Sequence, residues 1–199
     1  MNGVVSAPRI ISWDITLECP LTCSQGYADA NEKEVEGVLS KQESFYVITQ
    51  FRATGTPVVV LSGGETCSAR TYMQPHGKEQ ELRMVMGNSW YFIDHDAAVK
   101  LMNAGSSAVA ISLDAKDAAT HDMFRGIDGV WEKVVKAVGY RRNAGIAVQI
   151  NMSVMLPVIS EVNYVIAFGT SLGVRAYQLF FSIPTGRAQE IDPRRDARR

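Results

Sequence analysis

The feature that most limits what this chain can fold into is an alternation: short β-rich runs alternate with longer amphipathic stretches, which tend to close on a glycine. The β-rich runs lie at 9–16, 58–62, 82–87, 108–114, 146–154 and 175–181. Between them, Ser40-Lys-Gln-Glu43 has the form of a capping box opening a helix that Gly55 stops. Asp94 is placed to cap a helix ending at Gly105, residues 130–144 form an amphipathic helix closed by Gly145, and a helix from Ser160 ends at Gly173. Only the stretch between Cys67 and Glu81 reads poorly as helix, because Pro75 and Gly77 interrupt it.

Strands joined by helical crossovers run parallel, and right-handed crossovers leave the helices outside a sheet that curls. The expected class is therefore α/β, a partial (βα)6 TIM-like barrel of parallel strands over residues 9–188, with an N-terminal extension at 1–8 and a polar tail at 189–199. A flat doubly wound sheet shares this periodicity and is the alternative.

Hydrophobic residues make up 46% and charged residues 21% of the 199, enough for one substantial core. With 20 basic against 21 acidic residues, no overall field exists to gather nucleic acid or an anionic membrane, and neither is expected as a partner. The dense basic run Arg194, Arg195, Arg198 and Arg199 reads as a solvated end. No stretch reaches the roughly 18 apolar residues needed to span a bilayer, and residues 1–8 carry no export leader, so a cytoplasmic location is expected. Three cysteines suit metal or cluster chemistry in a reducing compartment better than a disulfide framework.

Four segments carry the chemistry. After the first strand comes Cys19-Pro-Leu-Thr-Cys23-Ser-Gln-Gly26-Tyr27; the second strand ends in Ser62-Gly63-Gly64-Glu65. The fourth gives Ser112-Leu-Asp114 followed by Thr120-His121-Asp122-Met-Phe124-Arg125-Gly126, and the fifth sets Gln149, Asn151 and Ser153 on one face at period two. Taken singly, each has a plain structural reading: small loop residues, a Gly-Gly turn, a helix cap with a surface ion pair, a hydrogen-bonded asparagine.

Together with Tyr177-Gln-Leu-Phe-Phe181 and Pro184-Thr-Gly-Arg187, they resemble the radical S-adenosylmethionine (AdoMet) superfamily, in its branch that matures haem, modified cofactors and peptides. The resemblance implies that Cys19 and Cys23 are ligands of a [4Fe-4S] cluster normally held by three thiolates, the fourth iron taking the amine and carboxylate of AdoMet. Gly26 stands where the third cysteine belongs, and Tyr27 matches the aromatic that follows. It further implies that Gly63 and Gly64 bring backbone close to AdoMet, that Glu65 accepts from its ammonium, and that Ser112 lies near its ribose or methionine part. Arg125 would take its carboxylate with a planar fork, and Asn151 would touch the ribose. Cys67 is either a replacement third ligand or an inert thiol, and His121 is read as a packing or capping residue. A reduced cluster would cleave AdoMet to a 5′-deoxyadenosyl radical that abstracts hydrogen from a small-molecule or peptide substrate, with a protein as reductant.

Two departures, Gly26 and Trp90 in place of a turn glycine, bring in a second expectation: a non-catalytic protein that keeps the AdoMet pocket and assembles no cluster. A third, a phosphate-binding barrel, has Thr185-Gly186-Arg187 as its candidate loop.

Overall fold

A computed structural model of the chain describes residues 7–28, 30–32, 36–68, 82–88, 95–103, 106–143, 145–181 and 185–190. Its strands are β1 Ile10–Thr16, β2 Val58–Gly63, β3 Arg83–Asn88, β4 Ser106–Ser112, β5 Ala147–Val154 and β6 Ala176–Phe181. They form one sheet in the order β1-β2-β3-β4-β5-β6, and every adjacent pair is parallel. When strand order equals chain order, each crossover steps the same way, and right-handed crossovers put every helix on one face. That is the partial TIM-like barrel; the reversal of strand order that defines a doubly wound sheet is missing.

The helices are α1 Lys41–Ala53, α2 His95–Asn103, α3 Ala118–Arg125, α4 Val130–Asn143 and α5 Val162–Ser171. The Ser40–Glu43 capping box forms as expected: Ser40 Oγ accepts from Glu43 N at 3.4 Å, and Glu43 Oε2 accepts from Ser40 N at 2.8 Å. Side chains divide by strand periodicity. Val59, Leu61 and Met84 pack with Ile48 of α1, while Val109, Ile111, Ile150, Met152 and Val154 join Val134, Ala137 and Val138 of α4 in the larger core. Ser112, Gln149, Asn151 and Ser153 alternate with these and stay partly exposed. The helix-side face is apolar, and the opposite face carries these polar groups.

Three boundaries differ from expectation. β4 ends at Ser112, which releases Asp114 into a buried charge network although Leu113 N still donates to Asn151 O at 2.9 Å. An additional helix, α3, fills the connection after β4, opened by Asp117, whose side chain accepts from Thr120 N at 2.8 Å, and closed by Gly126 at φ 76°. The helix expected from Ser160 is instead preceded by a 3-10 turn, Leu156–Glu161, with Pro157 in its first turn, and becomes α-helical only at Val162. The Asp94 cap, the Gly105 stop, Trp90, Pro184 and the tail beyond residue 190 lie outside the described residues. Among the described residues, no helix is long and apolar enough to cross a membrane.

Candidate functional site

The loop leaving β1 is held by backbone before any side chain is considered. Cys19 N donates to Asn31 O at 2.8 Å, Asn31 N to Leu17 O at 3.1 Å, and Leu21 is buried. The turn after β2 docks on this loop: Gly64 N donates to Thr16 O at 2.7 Å and Glu65 N to Glu18 O at 2.8 Å. A Cβ on Gly63, at φ 127°, would lie 2.2 Å from Thr16 O, and one on Gly64 would lie 2.4 Å from Glu18 O. The close approach these glycines permit is therefore to the chain's own loop, where the sequence suggested approach to a ligand. The end of α3 docks from the other side, with Ser24 N donating to Phe124 O at 3.0 Å and Gly126 packed against Thr22.

At the centre is Asp114, fully buried at the C-terminal end of β4. Its Oδ2 receives Arg125 Nη2 at 2.5 Å, and its Oδ1 receives Ser153 N at 2.8 Å. Arg125 Nη1 reaches Cys23 Sγ at 3.7 Å, so one guanidinium ties the β4 carboxylate to the cysteine loop. Burial opposes that charge, yet Asp114 and Cys23 hold its pKa above the usual arginine value. Its ion pair is buried rather than on the surface, with Nη2 on Asp114 and Nη1 facing Cys23. Asp122 does act as a cap, accepting from Gly129 N at 2.6 Å and Trp131 N at 2.8 Å at the start of α4.

His121 is fully buried beside this pair, and its Nδ1 accepts from Asp114 N at 3.2 Å. Burial, and then the Arg125 charge, push its pKa down to about 4, so it is neutral at pH 7. It is the packing residue the sequence suggested.

Cys19 is buried, and that burial, with Glu65 and Cys23 nearby, pushes its thiol up to about 11. Glu65 is fully buried, and its Oε1 accepts from Cys67 N at 3.2 Å. Cys67 packs against the apolar cluster that includes Cys19. Among the described residues, no three His, Cys, Asp or Glu side chains gather as a set that could hold a single metal ion. Tyr27 stands 60% exposed at the rim. Ser112, Asn151 and Gln178 share one register row across β4, β5 and β6. Gln149 Nε2 bridges Asn151 Oδ1 at 2.7 Å and Gln178 Oε1 at 3.1 Å, so Asn151 is part of an extended polar ladder.

A residue read from the sequence as part of the exit loop after the sixth strand, and as a thin phosphate-loop candidate, proves central. Arg187 donates from Nε to Cys23 O and from Nη1 to Ala30 O, each at 2.8 Å, and its backbone N–H donates to Gly26 O at 2.9 Å. These three donors are committed to carbonyls of the cysteine loop. An ideal Cβ on Gly26 would lie 2.6 Å from Arg187 Nη2. A cluster attached through three thiolates therefore does not fit this loop as it stands: two thiols are offered, and a guanidinium takes the third side-chain position. The sequence signals for the two missed residues were present, Asp114 in Ser-Leu-Asp and Arg187 in Thr-Gly-Arg, but neither names its partner.

No family model matches the chain. It is 30% identical over 194 residues to an AdoMet-dependent heme synthase of Methanosarcina barkeri, covering 96% of this chain and 56% of that protein. In fold it is similar to Streptococcus suis SuiB bound to S-adenosylmethionine (TM-score 0.78, 15% identity, 92% of this chain and 43% of that one). It is also similar to Escherichia coli coproporphyrinogen III oxidase (HemN), a radical SAM enzyme (TM-score 0.61, 10% identity, 92% and 46%). The chain spans about half the length of the curated relatives it matches. On its motifs, its sequential parallel sheet and these relatives together, the chain belongs to the radical AdoMet superfamily.

Proposed function

We propose that the chain is the core of a radical AdoMet enzyme of cofactor or peptide maturation, with its AdoMet pocket kept and its cluster attachment weakened. The cofactors the superfamily implies are AdoMet and a [4Fe-4S] cluster, which Cys19 and Cys23 would help hold and which would supply the electron for cleaving the sulfonium. The observation that carries the reading is the buried link Asp114–Arg125–Cys23, which joins the ligand-bearing end of β4 to the cysteine loop. Around it, Glu65, fully buried at the Gly63-Gly64 turn, would accept from the AdoMet ammonium, Ser112 would lie near its ribose or methionine part, and Asn151 would touch the ribose. Arg125 serves in this reading as a positioning residue, holding Asp114 and Cys23. Substrate would be a small molecule or a peptide, and a reductant protein would be needed for turnover.

A second reading, an AdoMet-binding protein that assembles no cluster, is favoured by Arg187 at the third-ligand position. Anaerobic reconstitution with iron and sulfide, iron counting and electron paramagnetic resonance of the reduced chain separate the two. A [4Fe-4S] signal that shifts on adding AdoMet is the result expected of the enzyme. Calorimetric AdoMet binding without iron, and no cluster, is the result expected of the binder. Neither cluster nor AdoMet binding overturns both.

A further inference from the structure

We propose that Arg187 stands in for the missing third cluster ligand: its guanidinium occupies that side-chain position and braces the cysteine loop, so the loop keeps its shape without iron. The inference rests on the reading of Cys19 and Cys23 as a cluster loop, and it adds a role for a residue outside that motif.

In a three-thiolate loop the metal itself would cross-link the turn, because thiolates fixed to one cluster fix the backbone between them. With the third thiol absent, hydrogen bonds are what remain to hold the turn: Gly26 N donates to Cys23 O at 3.0 Å, and a guanidinium can add further donors. Arg187 does so at two points seven residues apart, Cys23 O and Ala30 O, while its backbone N–H holds Gly26 O between them. Seating is tight: a Cβ on Gly186, at φ 53°, would lie 2.6 Å from Gly26 O and 2.8 Å from Tyr27 O. Only glycine lets the exit loop of β6 press this closely on the cysteine loop.

The brace also spans a gap in the sheet. β1 and β6 lie at opposite ends of the strand order and do not pair, yet Arg187, just after β6, binds the loop that follows β1. One side chain thus fastens the rim of an open barrel at the corner where a cysteine would point. Restoring that cysteine sets its Cβ 2.6 Å from Nη2, so the end of the guanidinium must shift before a third thiolate can take that corner.

The test uses the 199-residue chain as wild type, Arg187→Ala, Gly26→Cys and Gly26→Cys/Arg187→Ala. Each is melted iron-free under reductant, then loaded anaerobically with iron and sulfide and its iron counted. Loss of charged hydrogen bonds to buried carbonyls should lower the iron-free melting temperature of Arg187→Ala by about 4–8 °C. Gly26→Cys should load little more iron than wild type, and the double variant roughly threefold or more above Gly26→Cys, since only it frees the third corner. If Arg187→Ala does not fold, Arg187→Lys, which keeps charge but loses the fork, makes the same comparison in both backgrounds. An unchanged iron-free melt, or equal iron in Gly26→Cys with and without Arg187, overturns the proposal. AdoMet enters neither readout, so failure of the AdoMet reading and failure of the brace are told apart.

Discussion

A charge with no exposure must be paired, and Asp114 owes its tolerance to Arg125. Truncating Arg125→Ala leaves a buried carboxylate uncompensated and is expected to destabilise by about 3–5 kcal/mol. Asp114→Asn/Arg125→Met, which removes both charges, should cost clearly less; urea denaturation of the single and double variants checks this. His121 adds a pH dependence. Its folded pKa of about 4 lies below the ordinary 6.5, so between those values the unfolded chain binds a proton that the folded chain refuses. Stability from this group is full above pH 6.5 and is lost as pH falls toward 4, by on the order of 3 kcal/mol in total. The difference in urea midpoint between pH 7.5 and pH 5 should shrink in His121→Gln. At this scale the sequence was readable for residue types but not for their commitments. Asp122 in the Asp-x-x-Arg segment signalled a cap and caps α4, whereas Arg125, three positions on, turns inward to a partner eleven residues earlier.

At the scale of elements, local chemistry decided most boundaries. Ser40 and Glu43 close a box within one turn, Gly145 and Gly173 end their segments at φ 75° and 86°, and both were legible because capping involves neighbours along the chain. Helix α3 was not among the expected elements, although Asp117 and Gly126 bracket it, because its eight residues are too few for periodicity to register. Glycines separate local from tertiary demands. Gly139 in α4 has nothing within 4 Å of its would-be Cβ, so Gly139→Ala is expected to stabilise by up to about 1 kcal/mol through helix propensity alone. Gly64→Ala puts a methyl 2.4 Å from a backbone carbonyl that cannot yield, and should cost about 2–3 kcal/mol. Thermal melts of the two variants should therefore move in opposite directions.

For the whole molecule, the consequence of sequential strand order is that β1 and β6 are the edge strands of the sheet among the described residues. On β6, Leu179, Phe180 and Phe181 are 37%, 46% and 72% exposed, and alternation along the strand places apolar groups on both faces. An exposed apolar edge is a template for pairing with another chain. The 199-residue chain is expected to associate as concentration rises, and Phe180→Lys/Phe181→Lys to remain monomeric at the same concentration, by sedimentation velocity. What the sequence determined by itself was the succession of parallel strands and the positions of its motifs on their C-terminal ends, since periodicity, caps and glycines act over a few residues. The tertiary structure alone decided how the site is held together. Arg125 meets Cys23 across 102 residues and Arg187 meets it across 164, and Gly63 and Gly64 press on a loop more than forty residues earlier. No local pattern encodes which carbonyl a guanidinium will find, because that choice is made only when the sheet brings distant loops to one rim.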